Sequence, residues 1–271
     1  MQYKEITYNI EKGNIAVITI NRPEARNALT HITHTELAQA IEQADKDDSV
    51  RVIVLTGAGQ GFCAGDDVKV LFKSGEGYGN EGLQGKKQIL NFLQDGRSAG
   101  GGGPLLTTNK PSIAAVNGAA VGYGCDMALM CDMRIASETA RFGEAFLRVG
   151  LIPNQALLIL PRLVGLAKAY ELVLTTDIID AQEAYRIGLV NKVVPQADLM
   201  KATMELATKL ANKPPISVKL AKAGIRKGLN IPLDEFLQWE SLAFAYCTET
   251  EDHKEGAKAF VEKREPKFLG K

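Results

Sequence analysis

The stretch Val116–Asp126, VNGAAVGYGCD, leaves an apolar β-type run (Ile113–Val116), crosses a glycine-rich turn and enters a helix whose first turn carries Asp126. A helix that starts at such a turn aims N–H groups lacking an intrahelical acceptor, and the positive end of its dipole, at one spot. A carboxylate beside that spot can move a proton while the donors hold the negative charge that develops. A second turn of the same kind, Cys63–Asp67 (CAGDD), follows the run Arg51–Thr56 earlier in the chain. Two strand-following turns could each direct one N–H at a shared carbonyl oxygen, whereas either alone is an ordinary tight turn made of small residues.

Working outward, Ile15–Ile20 (IAVITI) and Val52–Leu55 (VIVL) are short and β-branched, as strands buried on both faces should be. Met133–Ala136 reads as another strand. His34–Asp45 places Leu37, Ile41 and Ala44 on one helical face. Strand–helix–strand order predicts an α/β arrangement with crossovers. Beyond about residue 165 the pattern is helical: Leu166–Leu174, Ala181–Ile187, Ala197–Lys213, Ser217–Lys227, Asp234–Ala245 and Asp252–Lys263. Pro214 and Pro215 separate two of these helices, and Pro232 opens another. Ser74–Lys87, with five glycines, and the run Gly100–Gly103 are read as mobile surface segments because glycine is expensive to order. A loop covering a substrate cleft would look the same.

A chain of 271 residues buries roughly three quarters of its unfolded surface, enough for one large domain without disulfides or metals. Its 45% apolar and 24% charged composition is that of a soluble globular protein. The net charge of zero gives no pull toward nucleic acid. Four cysteines without CxxC spacing and three histidines argue against a zinc site. The thiols (Cys63, Cys125, Cys131, Cys247) read as small packing residues of a reducing compartment. The N-terminus MQYKEITYNI is neither a secretory signal nor a transit peptide, and no apolar run is long enough to span a bilayer. A cytoplasmic enzyme is expected.

Several chemistries are excluded. Gly57–Gly61 (GAGQG) has the wrong spacing for a dinucleotide turn, and the chain contains no P-loop. His31 and His34 lack an acid at metalloprotease spacing and read as exposed or capping side chains. No GxSxG elbow supports a nucleophilic triad.

The blocks INRPEARNAL (Ile20–Leu29), GFCAGDDV (Gly61–Val68), KPSIAAVNGAAVGYGCDMALMCDMRIAS (Lys110–Ser137) and RFGEAF…VGLIPN (Arg141–Asn154) resemble, in order, those of the enoyl-CoA hydratase/isomerase, or crotonase, superfamily. The resemblance continues through Leu160–Val194 to the ending EGAKAFVEKREPKF (Glu255–Phe268) and covers nearly the whole chain. It implies an α/β fold of repeated ββα turns wound as a spiral over residues 1–195, carrying an acyl-CoA site. A C-terminal helical region, 196–271, would then mediate trimers or hexamers and contact CoA. No separate cofactor or metal is implied, since coenzyme A arrives as part of the substrate. The thioester oxygen would accept from the N–H groups of Asp66 and Tyr123, the latter standing where the family usually has glycine.

The resemblance also identifies departures. Asp126 takes the place of the first catalytic glutamate and is the expected acid/base, although a first-turn acid is also favoured by the helix dipole. Phe146 takes the place of the second glutamate, with Glu144 two residues too early. Asn154 stands where related isomerases carry a carboxylate. Phe146, Asn154 and Glu144 are therefore expected to line the acyl pocket, with Tyr123, Glu144, Asp67 and Asn154 as possible helpers. Arg26, Ala28, Cys63, Ala64, Gly65, Lys69, Phe260 and Lys263 are expected to hold CoA, Phe260 and Lys263 often from a neighbouring subunit in this family. Three readings follow: a hydratase-type lyase, a ring or double-bond isomerase of the phenylacetate-pathway kind, and a non-catalytic acyl-CoA binding protein.

Overall fold

The computed structural model of the protein describes residues 2–69 and 101–271. The Ser74–Lys87 segment lies outside these residues. Alternation within the apolar runs sets the two faces of the main sheet. Strands β1 (Ile6–Glu11), β2 (Ile15–Ile20), β3 (Val52–Gly57), β4 (Ser112–Val116), β6 (Met133–Ser137) and β9 (Lys192–Val194) pair in that order, antiparallel at β1–β2 and parallel elsewhere. Ile18, Ile53, Leu55, Ala114 and Val116 belong to one core, with Leu37 and Ile41 of α1 (His31–Lys46). Their neighbours Val17, Val52, Val54, Ile113 and Ile135 belong to the other, with Leu199, Ala202 and Ala207 of α7 (Leu199–Ala211). Burial on both faces is why these strands read as continuous apolar runs.

A second, three-stranded sheet is built from β5 (Ala119–Val121), β7 (Arg141–Gly143) and β8 (Ile179–Asp180) in that order. The chain steps from β4 to β5 and into α3 (Tyr123–Met130), then from β6 to β7 and on to α4 (Ala156–Val164). This strand–strand–helix step is the repeat that the resemblance implied. The helix predicted from His34 begins three residues sooner, because Thr30 caps it by accepting from the N–H groups of Ile32 and Thr33. Gly100 lies outside the described residues, but the rest of its run departs from expectation: Gly101 and Gly102 are buried, and Gly103 opens α2 (Gly103–Thr107). Here small size serves close approach, since a Cβ on Gly101 would run into the His34 backbone.

The remaining helices are α5 (Leu166–Thr175), α6 (Ala181–Arg186), α8 (Pro215–Gly228), α9 (Leu233–Thr248) and α10 (Glu251–Glu262). No residue of α9 is buried within the protomer. Leu242 is 73% exposed, and α8 and α9 enclose an open apolar groove of about 560 Å³ lined by Leu220, Ile225, Trp239 and Phe244.

Candidate active site

The two turns singled out in the sequence meet. Cys63 donates to the Ala119 carbonyl (2.9 Å) and accepts from Val121 N–H (3.0 Å), so the CAG segment runs alongside β5. A Cβ on Gly65 would stand 3.5 Å from the main-chain nitrogen of Tyr123. Gly122, at φ 54° and ψ −128°, takes a conformation that residues with a side chain avoid, and this sharp turn delivers Tyr123 as the first residue of α3.

The loop Ile20–Leu29 is laced to the same place. Leu29 donates to the Gly65 carbonyl (2.9 Å), and Ala64 donates to that of Arg26 (3.1 Å). Arg26, Ala28, Cys63, Ala64 and Gly65 are thereby brought together, with Arg26 and Ala64 exposed. Two side chains that sequence reasoning missed hold the lacing. Asn27 donates to the carbonyls of Ala58 (2.8 Å) and Gly61 (2.7 Å), and Asn117 donates to that of Gly57 (2.8 Å). Both lie inside blocks that carry the resemblance, which is the available signal.

Asp126 is fully buried in the first turn of α3 and accepts from Asn154 N–H (3.2 Å) and Ala156 N–H (2.5 Å) at the start of α4. Burial pushes its carboxyl up to about 6 despite those donors, and the Asp66 charge adds to the rise. Glu144 is 1% exposed, and neither of its oxygens has a hydrogen-bond partner among the described residues. Burial and the neighbouring Asp126 charge push its carboxyl well above the usual range, with only the Cys125 thiol alongside to favour the ionised form. Both carboxyls are therefore shifted toward the protonated form. Carboxyls raised by burial in this way are candidates for exchanging protons near neutral pH.

Burying a carboxyl with no stronger donor than a neighbouring thiol costs roughly 1–3 kcal/mol. Glu144→Met is therefore expected to raise stability by about 1–2 kcal/mol in urea unfolding at pH 7. A loss of stability instead would mean that the fold itself needs the carboxyl.

Phe146 and Asn154 also reach the site, in different ways. A ring carbon of Phe146 lies 3.9 Å from where a Cβ on Gly122 would stand, so aromatic surface flanks the turn. Asn154 contributes its main-chain N–H, while its residue is exposed. The Tyr123 ring is buried, with its hydroxyl accepting from Gly102 N–H (3.3 Å). Asp67 pairs with Arg22 at 3.2 Å.

His34 departs from the expectation of an exposed or capping residue; His31 alone is exposed. His34 Nε2 lies 2.8 Å from Asp66 Oδ1, its Nδ1 accepts from Gly101 N–H (2.9 Å), and its ring meets that of Tyr123 edge-on at 5.1 Å. Its i, i+3, i+7 spacing with Leu37 and Ile41 is the missed sign that it faces inward.

Lys69 is exposed, as are Phe260 (86%) and Lys263 at the end of α10. Among the described residues, no hydrogen bond or ion pair joins these three to Cys63–Gly65. Among the same residues, no cluster of His, Cys, Asp and Glu is arranged to hold a metal ion, and no helix is long and apolar enough to cross a membrane. Cys63, Cys125 and Cys131 are buried, and burial pushes the Cys63 and Cys131 thiols up to about 12, away from the reactive thiolate form.

Comparison with known proteins bears on the family of the chain. The sequence profile of the family described as enoyl-CoA hydratase/isomerase matches residues 10–271. The short-chain-enoyl-CoA hydratase of Clostridium acetobutylicum is 41% identical, covering 94% of each chain. The crotonyl-CoA hydratase of Syntrophomonas wolfei is 37% identical over the full length of both. The crystal structure of enoyl-CoA hydratase from Bacillus anthracis superposes with a TM-score of 0.88 at 34% identity, covering 99% of this chain and 100% of that one. With these turns in contact and this match along almost its whole length, the chain belongs to the enoyl-CoA hydratase/isomerase (crotonase) family of acyl-CoA enzymes.

Proposed function

We propose that the protein is a hydratase-type lyase that adds water across the double bond of an enoyl-CoA. The observation that carries this reading is the buried Asp126–Glu144 pair, both carboxyls pushed up by desolvation, beside two abutting glycine turns. The N–H groups of Asp66 and Tyr123 are the donors to the thioester oxygen, each worth on the order of 3 kcal/mol to the developing enolate. Asp126 takes a proton from water as the hydroxyl adds to Cβ, and Glu144 delivers a proton to Cα. Proton return from Asp126 to Glu144 resets the pair. Glu144 thus does from its own position what a glutamate at 146 would do, leaving Phe146 to shape the pocket.

The exposed apolar faces of α8 and α9 support a reading of the C-terminal region, 196–271, as a trimer or hexamer interface beside a 1–195 catalytic core. Phe260 and Lys263 then reach the CoA of a neighbouring protomer, while Arg26, Ala28, Lys69 and the Cys63–Gly65 turn hold it from within.

The Phe146 ring beside Gly122 favours a second reading, in which the same pair shifts a double bond in a ring-bearing acyl group without adding water. Mass spectrometry over linear, branched and cyclic enoyl-CoAs in deuterated solvent separates the two. Gain of one water identifies the hydratase. Deuterium uptake without that gain identifies the isomerase. Binding with neither would leave an acyl-CoA binding protein and sink both catalytic readings.

A further inference from the structure

The contacts of His34 have no part in the scheme above, yet they end on a residue that supplies one of its two donors. Gly101 N–H donates to Nδ1, so in the neutral ring the proton sits on Nε2, which donates to Asp66 Oδ1 at 2.8 Å. The ring is held from the side by the buried Tyr123, the residue supplying the other donor, whose hydroxyl in turn accepts from Gly102 N–H. The α1 residue at 34 thus ties together both turns and the start of α2. Residue 66 presents a chemical difficulty: its main-chain N–H is to stabilise an enolate oxygen, while its own side chain carries a negative charge. A carboxylate that swung toward the thioester would oppose the charge its amide stabilises.

We propose that His34 is a positioning residue for the oxyanion turn, restraining the Asp66 carboxylate so that the residue acts on substrate through its amide alone. The inference rests on the assignment of residue 66 as a thioester donor.

The test is a double-variant cycle with crotonyl-CoA or cinnamoyl-CoA, whichever the wild type turns over faster. His34→Ala is expected to lower kcat by about a hundredfold, comparable with losing one oxyanion donor, with KM held within about threefold. Adding Asp66→Ala to that variant removes the carboxylate while keeping the amide, and is expected to raise kcat about tenfold above His34→Ala. A side chain needed only for packing would not be rescued by removing its partner. His34→Gln, whose amide can still donate to Asp66, is expected to keep most of the rate, whereas the shorter His34→Asn is expected to behave like His34→Ala.

A double variant no faster than His34→Ala, or wild-type kcat in His34→Ala, would overturn the proposal. Should His34→Ala fail to fold, equal kcat for the Gln and Asn variants would overturn it equally. Turnover by the wild type without rescue removes this inference alone, while a wild type inert toward both thioesters removes the functional reading and this inference with it.

Discussion

Asp126→Asn is expected to lower kcat about a thousandfold while leaving acyl-CoA binding intact, within the range of roughly 10²–10⁴ that a positioned acid or base contributes. Asparagine keeps the shape of the side chain and one acceptor oxygen, enough for one of the two N–H groups (Asn154 and Ala156) that bond to separate oxygens of Asp126, but it cannot take a proton from water. In the proposed mechanism the same residue sets the pH profile. Its carboxyl sits at about 6 because burial outweighs the donors around it, so the base form is lost as pH falls through that value. The wild type should therefore lose kcat/KM about tenfold per pH unit below about 6, and that acid limb should vanish from the residual activity of the variant. Isothermal titration with the acyl-CoA and a pH–rate profile check both parts. Unchanged turnover would remove Asp126 from the mechanism.

Gly124→Val is expected to be as damaging by a different route. The Cα of Gly124 faces the main-chain carbonyl of Cys63, and a Cβ there would run into that oxygen. The obstacle is backbone, which cannot rotate away as a flexible side chain would. Relief requires α3 to move off the CAG turn, which separates the donors at 66 and 123. With each donor worth about 3 kcal/mol, loss of their common aim should cost on the order of 10²–10⁴ in kcat. The overpacked core should lose about 1–3 kcal/mol as well. Steady-state kinetics and a thermal melt of the same preparation read both effects. Wild-type kcat in this variant would show that the contact between the turns is not what orients the donors.

Much of the architecture is legible in the order of residues alone. Ile15–Ile20 and Val52–Leu55 are short β-branched runs of the kind that only a doubly covered strand tolerates, and both are strands of the main sheet. The C-terminal helices declare themselves through spacing and proline. By contrast β5, β7 and β8 are two or three residues long, too short to show a period. Helix α4 carries Pro161 inside an almost unbroken apolar run, so its local signals conflict. Tertiary packing resolves them: α4 lays its first N–H groups on Asp126.

In the candidate site the division follows distance along the chain. Asp126, Tyr123 and the CAG turn stand out because each sits within a contiguous motif whose local geometry is dictated by glycine. Glu144 looks displaced in the sequence, and His34 looks unimportant, because their roles depend on neighbours contributed by other segments. His34 meets Asp66 across 32 positions, and the Glu144 carboxyl is pushed up by the exclusion of water and by the charge on Asp126. Residue order and glycine placement are enough to specify strands, turns and helix starts, since those follow from backbone torsion and short-range periodicity. Which carboxyl holds a proton, and which imidazole restrains which acid, is settled only by folding, because desolvation and Coulomb interaction depend on separation in space.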